Sequence, residues 1–441
     1  MLKQLAPIFM VGTTLELLWV ATVGLGPLRE HSVAFVSLML AEFALCLWAL
    51  FRLPIKNTPA VLSMLAFALL FRLTVLPAPP YQSEDVYRYI WDARVSTLGY
   101  DPFRFAPDAP ELTQLRDSSI YPLLNSKPYI TAYPPLSQIL FRLSYELFGN
   151  NLVAMKAIFG AFEFASVMLA WRLITIFGLP IQPLYLLAWN PFFIFEFSHS
   201  GHSDSAMMFL ILLSIFLLHH SKRIPALISY AGATLVKLHP ALWFPFYLRQ
   251  SGRKATLVGV AVGAIIVAIY YTPSSGLHYI RSLSLYYRLF EFNASVHYLL
   301  RFIGREVFHQ AWDKLTGPFL LVLLLSICIL IWRKFPVRSE RDLLHAGFWL
   351  MTADLCLSTT VHPWYLSWAA LALPILPYGF MVYWTGAVFL SYLAYANHPV
   401  FEPPWVLLAE YLPMYGLMAW EIWRKKPLLS SWLERASYEK G

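Results

Sequence analysis

Three carboxylates, two arginines and four aromatic rings fall within the fourteen residues Tyr81-Gln82-Ser83-Glu84-Asp85-Val86-Tyr87-Arg88-Tyr89-Ile90-Trp91-Asp92-Ala93-Arg94. A carboxylate is a proton acceptor at neutral pH, and tyrosine and tryptophan faces are surfaces on which a pyranose ring stacks. If Ser83 caps a helix, Asp85, Arg88 and Asp92 follow at intervals of three and four residues and share one face. Two readings remain open. One is a solvated helix laced by i,i+3 and i,i+4 ion pairs. The other is a carboxylate held at a membrane surface as a general base, beside aromatics suited to a sugar.

Three shorter corners carry further candidates. His199-Ser200-Gly201-His202-Ser203-Asp204 reads as a loop or helix cap between apolar runs. It offers two histidines and an aspartate for a metal, but no second cluster with ligand spacing completes such a site, and no metal is expected. Lys237-Leu238-His239-Pro240 closes an apolar stretch. There the lysine either snorkels to headgroups or, with His239, holds a phosphate. Val361-His362-Pro363-Trp364-Tyr365 fits an interfacial aromatic belt or the wall of a site. Asp354, eight residues before His362 and thus about 12 Å deeper along a helix, is too far to orient it and is expected in a buried structural hydrogen bond. Glu16, Glu42 and Glu163 are expected to serve in the same way. Gly99-Tyr100-Asp101-Pro102-Phe103 and Tyr133-Pro134-Pro135-Leu136 read as rigid corners that return a loop to the membrane.

The elements that must position these groups are membrane helices. Only 13% of the 441 residues are charged and 58% are hydrophobic, which excludes a soluble globular fold. The net charge of +8, from 33 Lys+Arg and 25 Asp+Glu, is spread in short clusters between apolar runs and gives no basic patch for nucleic acid. Cys46, Cys328 and Cys356 sit inside apolar runs without metal or disulfide spacing. The first run, Leu5 to Leu25, carries Glu16 and leads at once into a second, so it reads as a transmembrane helix rather than a secretory signal.

Runs long enough to cross a bilayer lie near 6–25, 33–51, 60–78, 152–177, 204–220, 255–272, 317–333, 342–361, 379–397 and 404–423, with shorter ones near 182–197, 224–250 and 363–378. The expectation is an all-α polytopic bundle of about 11 to 14 transmembrane segments forming one integral membrane domain over residues 1–441. Arg52 with Lys56, Lys222 with Arg223, Arg249 with Arg253 and Lys254, Arg333 through Arg341, and Arg424 to Lys426 mark the cytoplasmic side. The basic tail 424–441 belongs there as well. That orientation turns outward a first loop at 79–151, a second at 272–315, and the corners near 199–203, 237–240, 362–365 and 398–404. It requires Pro134 to Phe148 to be an interfacial helix. Asn293-Ala294-Ser295 is a formal glycosylation acceptor in the second loop.

Glu84-Asp85-Val86-Tyr87, the continuation Asp92-Ala93-Arg94, the Gly-x-x-Pro-Phe and Tyr-Pro-Pro corners and the polar outward turns together resemble the GT-C superfamily of membrane glycosyltransferases. The resemblance is sharpest to polyprenol-phosphate-mannose-dependent mannosyltransferases such as the bacterial members of glycosyltransferase family 87. Gly201-His202-Ser203-Asp204 is similar to a Gly-His-Asn-Asp turn of such proteins, with Ser203 in place of the Asn.

The resemblance implies inverting transfer of a sugar, mannose above all, from a polyprenyl-phosphate donor to a lipid-linked or envelope glycan acceptor. No cofactor beyond the donor lipid is implied, and the partners are the two substrates and membrane lipids. The place implied is the outward face of a bacterial inner membrane. The resemblance points to Asp85 as base with Glu84 as competitor, to Lys237 and His239 at the donor phosphate, and to Tyr87, Arg88, Asp92, His202, Asp204, His362 and Tyr365 around the sugar or acceptor. The absence of a Gly-rich phosphate loop after a strand agrees with a lipid-phosphate donor. A transporter or flippase of lipid-linked sugars is the alternative, and inverted repeats with paired broken helices would favour it.

The charge clusters make a topological prediction. Gln114→Cys and Lys127→Cys should react with an impermeant thiol reagent added to intact cells, in a background without native cysteines, while Lys56→Cys stays protected. The opposite pattern would reverse the orientation.

Overall fold

The computed structural model describes residues 2–55, 57–270, 275–280, 282, 290–397 and 399–430. Lys56, parts of the expected second loop, His398 and the tail from 431 lie outside the described residues. Nearly all the regular structure described is helical, and an isolated bridge joins Phe292 to Thr360.

Among the described residues, six helical segments are long and apolar enough to cross a membrane: Leu5–Gly24, Ser32–Arg52, Thr58–Val75, Leu152–Ile176, Leu315–Lys334 and Gly379–Ala396. A seventh candidate is the broken pair Gln182–His199 and Asp204–His219. The other apolar runs also form helices, among them Arg223–Val236, Arg253–Tyr270, Glu340–Leu357 and Pro404–Arg424. The protein is therefore a polytopic helical membrane protein. The sequence range of 11 to 14 counts every apolar run, and what separates it from six or seven is breakage, length and, in Glu340–Leu357 and Pro404–Arg424, charged and polar residues within helices that are long enough. The run at 224–250 is interrupted at His239-Pro240 as expected, and the run at 363–378 breaks into the short helices Pro363–Leu366 and Ser367–Ala370 followed by turns.

Local signals explain several helix ends. Asn57 accepts a hydrogen bond from the Ala60 amide, and Pro59 occupies the first turn where its missing N–H is harmless. Ser339 and Asp342 form a reciprocal capping box at the start of Glu340–Leu357. The segment expected to be interfacial is the helix Pro135–Phe148, which opens on a proline and ends at Gly149, at φ +61°. Its buried face carries Ser137, Gln138, Phe141 and Ser144, while Arg142 and Glu146 pair on the exposed side. The expected Ser83 cap is displaced by one residue: the helix is Asp85–Thr97 and Glu84 takes the cap position. Ser83 still accepts from the Asp85 amide at 3.3 Å.

The contacts group the chain into two units. One comprises Met1–Gln82, Gly160–Ser200 and Leu366–Gly441. Its helices carry buried and half-buried acidic and basic side chains that find local partners. Arg72 pairs with Glu163 through both carboxylate oxygens and donates to the carbonyls of Ala68 at 2.7 Å and Ala188 at 2.9 Å. Thr22 donates to Glu42, Thr74 donates to Glu16, and Glu421 accepts from the amides of Gly379 and Phe380 at the head of a helix. Glu16, Glu42 and Glu163 thus each have the structural partner expected of them.

The other unit comprises Ser83–Phe159 and Gly201–Tyr365. The helices Asp85–Thr97 and Pro135–Phe148 pack through Tyr89, whose ring stacks on Phe141 at 4.1 Å. Ser137 ties the second of them to the Val236 carbonyl at 3.0 Å. The Gly99 to Phe103 corner is held from several sides: Asp101 accepts from the Phe103 amide and from Ser275, and the Pro102 carbonyl accepts from the Thr131 amide. Tyr279 adds a hydrogen bond to the Ala132 carbonyl.

Residues 290–292 pair with 359–361: the Phe292 amide donates to the Thr359 carbonyl, the Val361 amide to the Phe292 carbonyl, and the Thr360 hydroxyl to the Phe290 carbonyl. Asn293, next in line, is fully buried at φ +48°, so the formal glycosylation acceptor is closed to modification in the folded chain.

The Arg72–Glu163 pair makes a stability prediction. Removing one partner leaves a bare buried charge and should cost about 3–5 kcal/mol, whereas replacing both with apolar residues should recover much of the loss. Thermal denaturation of Arg72→Met, Glu163→Met and the double variant in detergent checks this, with the double variant melting above either single one.

Candidate active site

The site grows from the first turn of Asp85–Thr97. Asp85 Oδ1 accepts from Asn125 Nδ2 at 3.2 Å, and Oδ2 lies 3.6 Å from Nδ1 of His202. The Asp85 side chain keeps 18% of its surface exposed, while His202 is wholly enclosed.

His202 is placed by the break at 200–203. Gly201 sits at φ +77°, a conformation that favours glycine, and a Cβ there would meet Lys156 Cγ at 2.8 Å. The histidine ring lies on Trp364 at 3.7 Å, nearly parallel, and His362 lies on the same indole at 4.5 Å. Phe292 stacks on His362 at 5.1 Å, so the pairing of 290–292 with 359–361 delivers one more ring to the site. Tyr365 meets His362 edge to face at 5.4 Å.

Lys237 follows the helix Arg223–Val236 and points its ammonium at Asp204, with Nζ 3.3 Å from Oδ2 and 5.1 Å from the Tyr365 ring centre. Asp204 is fully buried, so the pair holds a negative charge inside the unit next to a partly accessible cation. His239 takes a different partner: its Nδ1 is 2.6 Å from Asp354 Oδ2. Asp354 therefore makes the structural hydrogen bond expected of it, with a partner that sequence spacing does not indicate.

Burial pushes both site histidines down, against the opposing pull of the Asp85 charge, His362 to about 4 and His202 also below its usual value. Burial alone would raise Asp85, but the His202 imidazole, the nearby His362 and the Asn125 amide outweigh it and hold the carboxyl at about 2. At neutral pH the site is thus an ionised carboxylate beside imidazole rings that burial keeps neutral.

Among the residues expected at the site, the structure groups Asp85, His202, Asp204, Lys237, His362 and Tyr365, and ties His239 to Asp354. Tyr87 and Glu84 are half-buried at the start of the same helix. Arg88 and Asp92 are enclosed: Arg88 Nε donates to Asp92 Oδ1 at 2.8 Å, and Gln138 donates to Asp92 Oδ2 at 3.1 Å. Sequence reasoning does not single out Asn125 or Phe292. Each lies in an irregular segment whose composition gives no sign of the contact it makes.

A chain of apolar helices that carries an ionised carboxylate, a cation and stacked rings in one unit defines a polytopic membrane protein with an enclosed polar site. More particularly, the chain belongs to the MptA/B family, described as alpha-(1->6)-mannopyranosyltransferase, N-terminal domain, which it matches over residues 9–251. That match covers Asp85, Asn125, His202, Asp204, Lys237 and His239. The chain is 22% identical over 341 residues to alpha-(1->6)-mannopyranosyltransferase A of Mycobacterium tuberculosis, a match covering 71% of this chain and 65% of that protein. It thus spans somewhat less than two thirds of the length of that relative. No solved structure matches. The family agrees with the mannosyltransferase resemblance of the first loop.

The electrostatics predict that His362 titrates at about 4, followed by nitrogen NMR of histidine-labelled protein. Asp85→Asn removes a negative charge that favours the imidazolium, so the His362 midpoint should fall further. An unshifted or raised midpoint would contradict the placement of the two groups.

Proposed function

We propose that the protein transfers a mannosyl group from a polyprenyl-phosphate donor to a hydroxyl of a lipid-linked or envelope glycan acceptor, with inversion, on the outward face of a bacterial plasma membrane. The observation that carries this reading is the partly exposed Asp85 side chain, its ionised carboxylate bonded to Asn125 and facing His202, in the same unit as the Lys237 ammonium. Family membership supports the sugar, and the clustered basic residues support the orientation.

In the proposed step the acceptor oxygen attacks C1 of the donor mannose from the face opposite the phosphate. The C1–O bond to phosphate breaks, its electron pair leaves with the phosphate, and the acceptor proton passes to Asp85. A carboxylate near 2 is a weak base, yet it suffices, because the acceptor oxygen becomes strongly acidic as it bonds to an oxocarbenium-like carbon.

Lys237, ion-paired with Asp204 at 3.3 Å, offers its ammonium hydrogens to the departing phosphate, where a cation stabilises developing charge. His239, oriented by Asp354, supplies its second ring nitrogen to the same group. His202, His362 and Tyr365 wall the sugar pocket with Tyr87, and Glu84 is the competing base. The donor lipid is a co-substrate, and no further cofactor enters the step. Retention would need a second carboxylate free to attack C1 at about 5–5.5 Å from the first. Asp204, buried and bound to Lys237, is unsuited to that task.

The test is transfer from polyprenyl-phosphate mannose carrying a radiolabel to an octyl mannoside acceptor. Asp85→Asn should lower kcat by about 10² to 10⁴ while donor binding survives. Glu84→Gln should lose much less, and the reverse ranking would move the base to Glu84. Lys237→Ala should impair donor use far more than Lys222→Ala, with Lys237→Arg intermediate. Normal turnover in folded Asp85→Asn and Glu84→Gln proteins would sink the first-loop base.

A further inference from the structure

Asp85, Arg88 and Asp92 share a face of Asp85–Thr97, but they are not equivalent. Asp85 keeps open surface, whereas Arg88 and Asp92 are shut inside, 4% and 1% exposed. Their polar atoms are turned toward protein. Arg88 spans from Asp92 to the backbone, donating to the Tyr129 carbonyl at 3.0 Å and more distantly to that of Ser126 at 3.5 Å. Gln138 links Asp92 Oδ2 to the Thr131 hydroxyl, which it reaches at 2.9 Å. Residues 126–131 are thereby tied to the helix at three carbonyl or hydroxyl groups.

The tied segment opens on a strained residue, Ser126 at φ +51°, which local sequence preference alone does not stabilise. The residue just before it is Asn125, whose amide reaches Asp85 Oδ1 at 3.2 Å. A carboxylate held at one oxygen cannot swing freely about its last torsion, so the other oxygen keeps a set direction.

We propose that Asn125 is the positioning residue of the base, and that the buried Arg88–Asp92–Gln138 network acts on the reaction through it by holding the 126–131 segment at the height from which Asn125 reaches Asp85. Arg88 and Asp92 then scaffold the base instead of touching sugar. The inference rests on the reading of Asp85 as base.

The experiment uses the full chain in detergent, with polyprenyl-phosphate mannose as donor and an octyl mannoside as acceptor. Asn125→Ala should lower kcat about 10- to 100-fold, as expected for a catalytic group displaced by up to about one ångström, with the donor KM changed less than about threefold. Arg88→Lys keeps the charge but loses the planar fork, so it cannot bridge Asp92 and the loop carbonyls together, and its kcat should fall to a similar degree. The two changes combined should lose no more than the worse one alone. In an Asp85→Asn background both should be silent.

Asn125→Asp is nearly isosteric and retains the fold. It sets a like charge beside Asp85, should raise the carboxyl pKa, and should move any low-pH decline of kcat to higher pH than in the wild-type protein. Wild-type kcat in Asn125→Ala, losses that recur undiminished in the Asp85→Asn background, or an effect confined to donor KM would each overturn the proposal. If Asp85→Asn itself turns over normally, the base reading falls first. If Asp85→Asn is inactive while Asn125→Ala is fully active, only the positioning role is lost.

Discussion

A negative charge deprived of most of its water persists only where neighbouring groups replace that hydration, and the Asp85 carboxylate depends on such replacement. Its partners come from three distant stretches of chain: Asn125 from the first loop, His202 from a break between helices, and His362 from the corner after Glu340–Leu357. A helix face alone supplies none of them. The remainder of this unit can be understood as the framework that brings these groups to one carboxylate and keeps them there.

That framework is built from corners more than from helices. Asp101 and Thr131 close the first loop on itself, Ser275 and Tyr279 tie the second loop to it, and the pairing of 290–292 with 359–361 sets Phe292, His362 and Trp364 as a stack of rings. Irregular backbone buried away from water persists only where its polar groups find partners. The same bonds that meet this requirement also stiffen the site. Rigid rings on one side and a fixed carboxylate on the other suit a reaction whose rate depends on alignment.

Buried charges in the other unit have a different use. Arg72 is engaged by its Glu163 partner and by backbone carbonyls, and Glu421 gives its oxygens to the amides at a helix start. Groups so fully engaged offer nothing to a substrate. Lys237 contrasts with them: one carboxylate holds it, its side chain retains some exposure, and an aromatic face lies beside it. Degree of engagement, rather than charge or burial alone, sets Lys237 apart from Arg72 and Glu421.

Hydropathy, charge clusters and the Tyr81 to Arg94 motif suffice to read a polytopic helical protein, the helix at Pro135–Phe148, the break at His239-Pro240 and the candidate carboxylate, because each is written in consecutive residues. The start of the Asp85–Thr97 helix, one residue from where Ser83 suggests it, is nearly legible for the same reason. The partner of Asp354 is not, since His239 stands 115 positions away. Likewise Asn125 and Phe292 reach the site from irregular segments, and Arg88 and Asp92, which share a face with Asp85, turn inward to hold a loop. Periodicity along one chain determines which residues form helices and which faces are apolar. Which polar groups meet across the unit is decided by the packing of segments far apart in sequence, since hydrogen bonds and ring stacks form over a few ångströms of space whatever the separation along the chain.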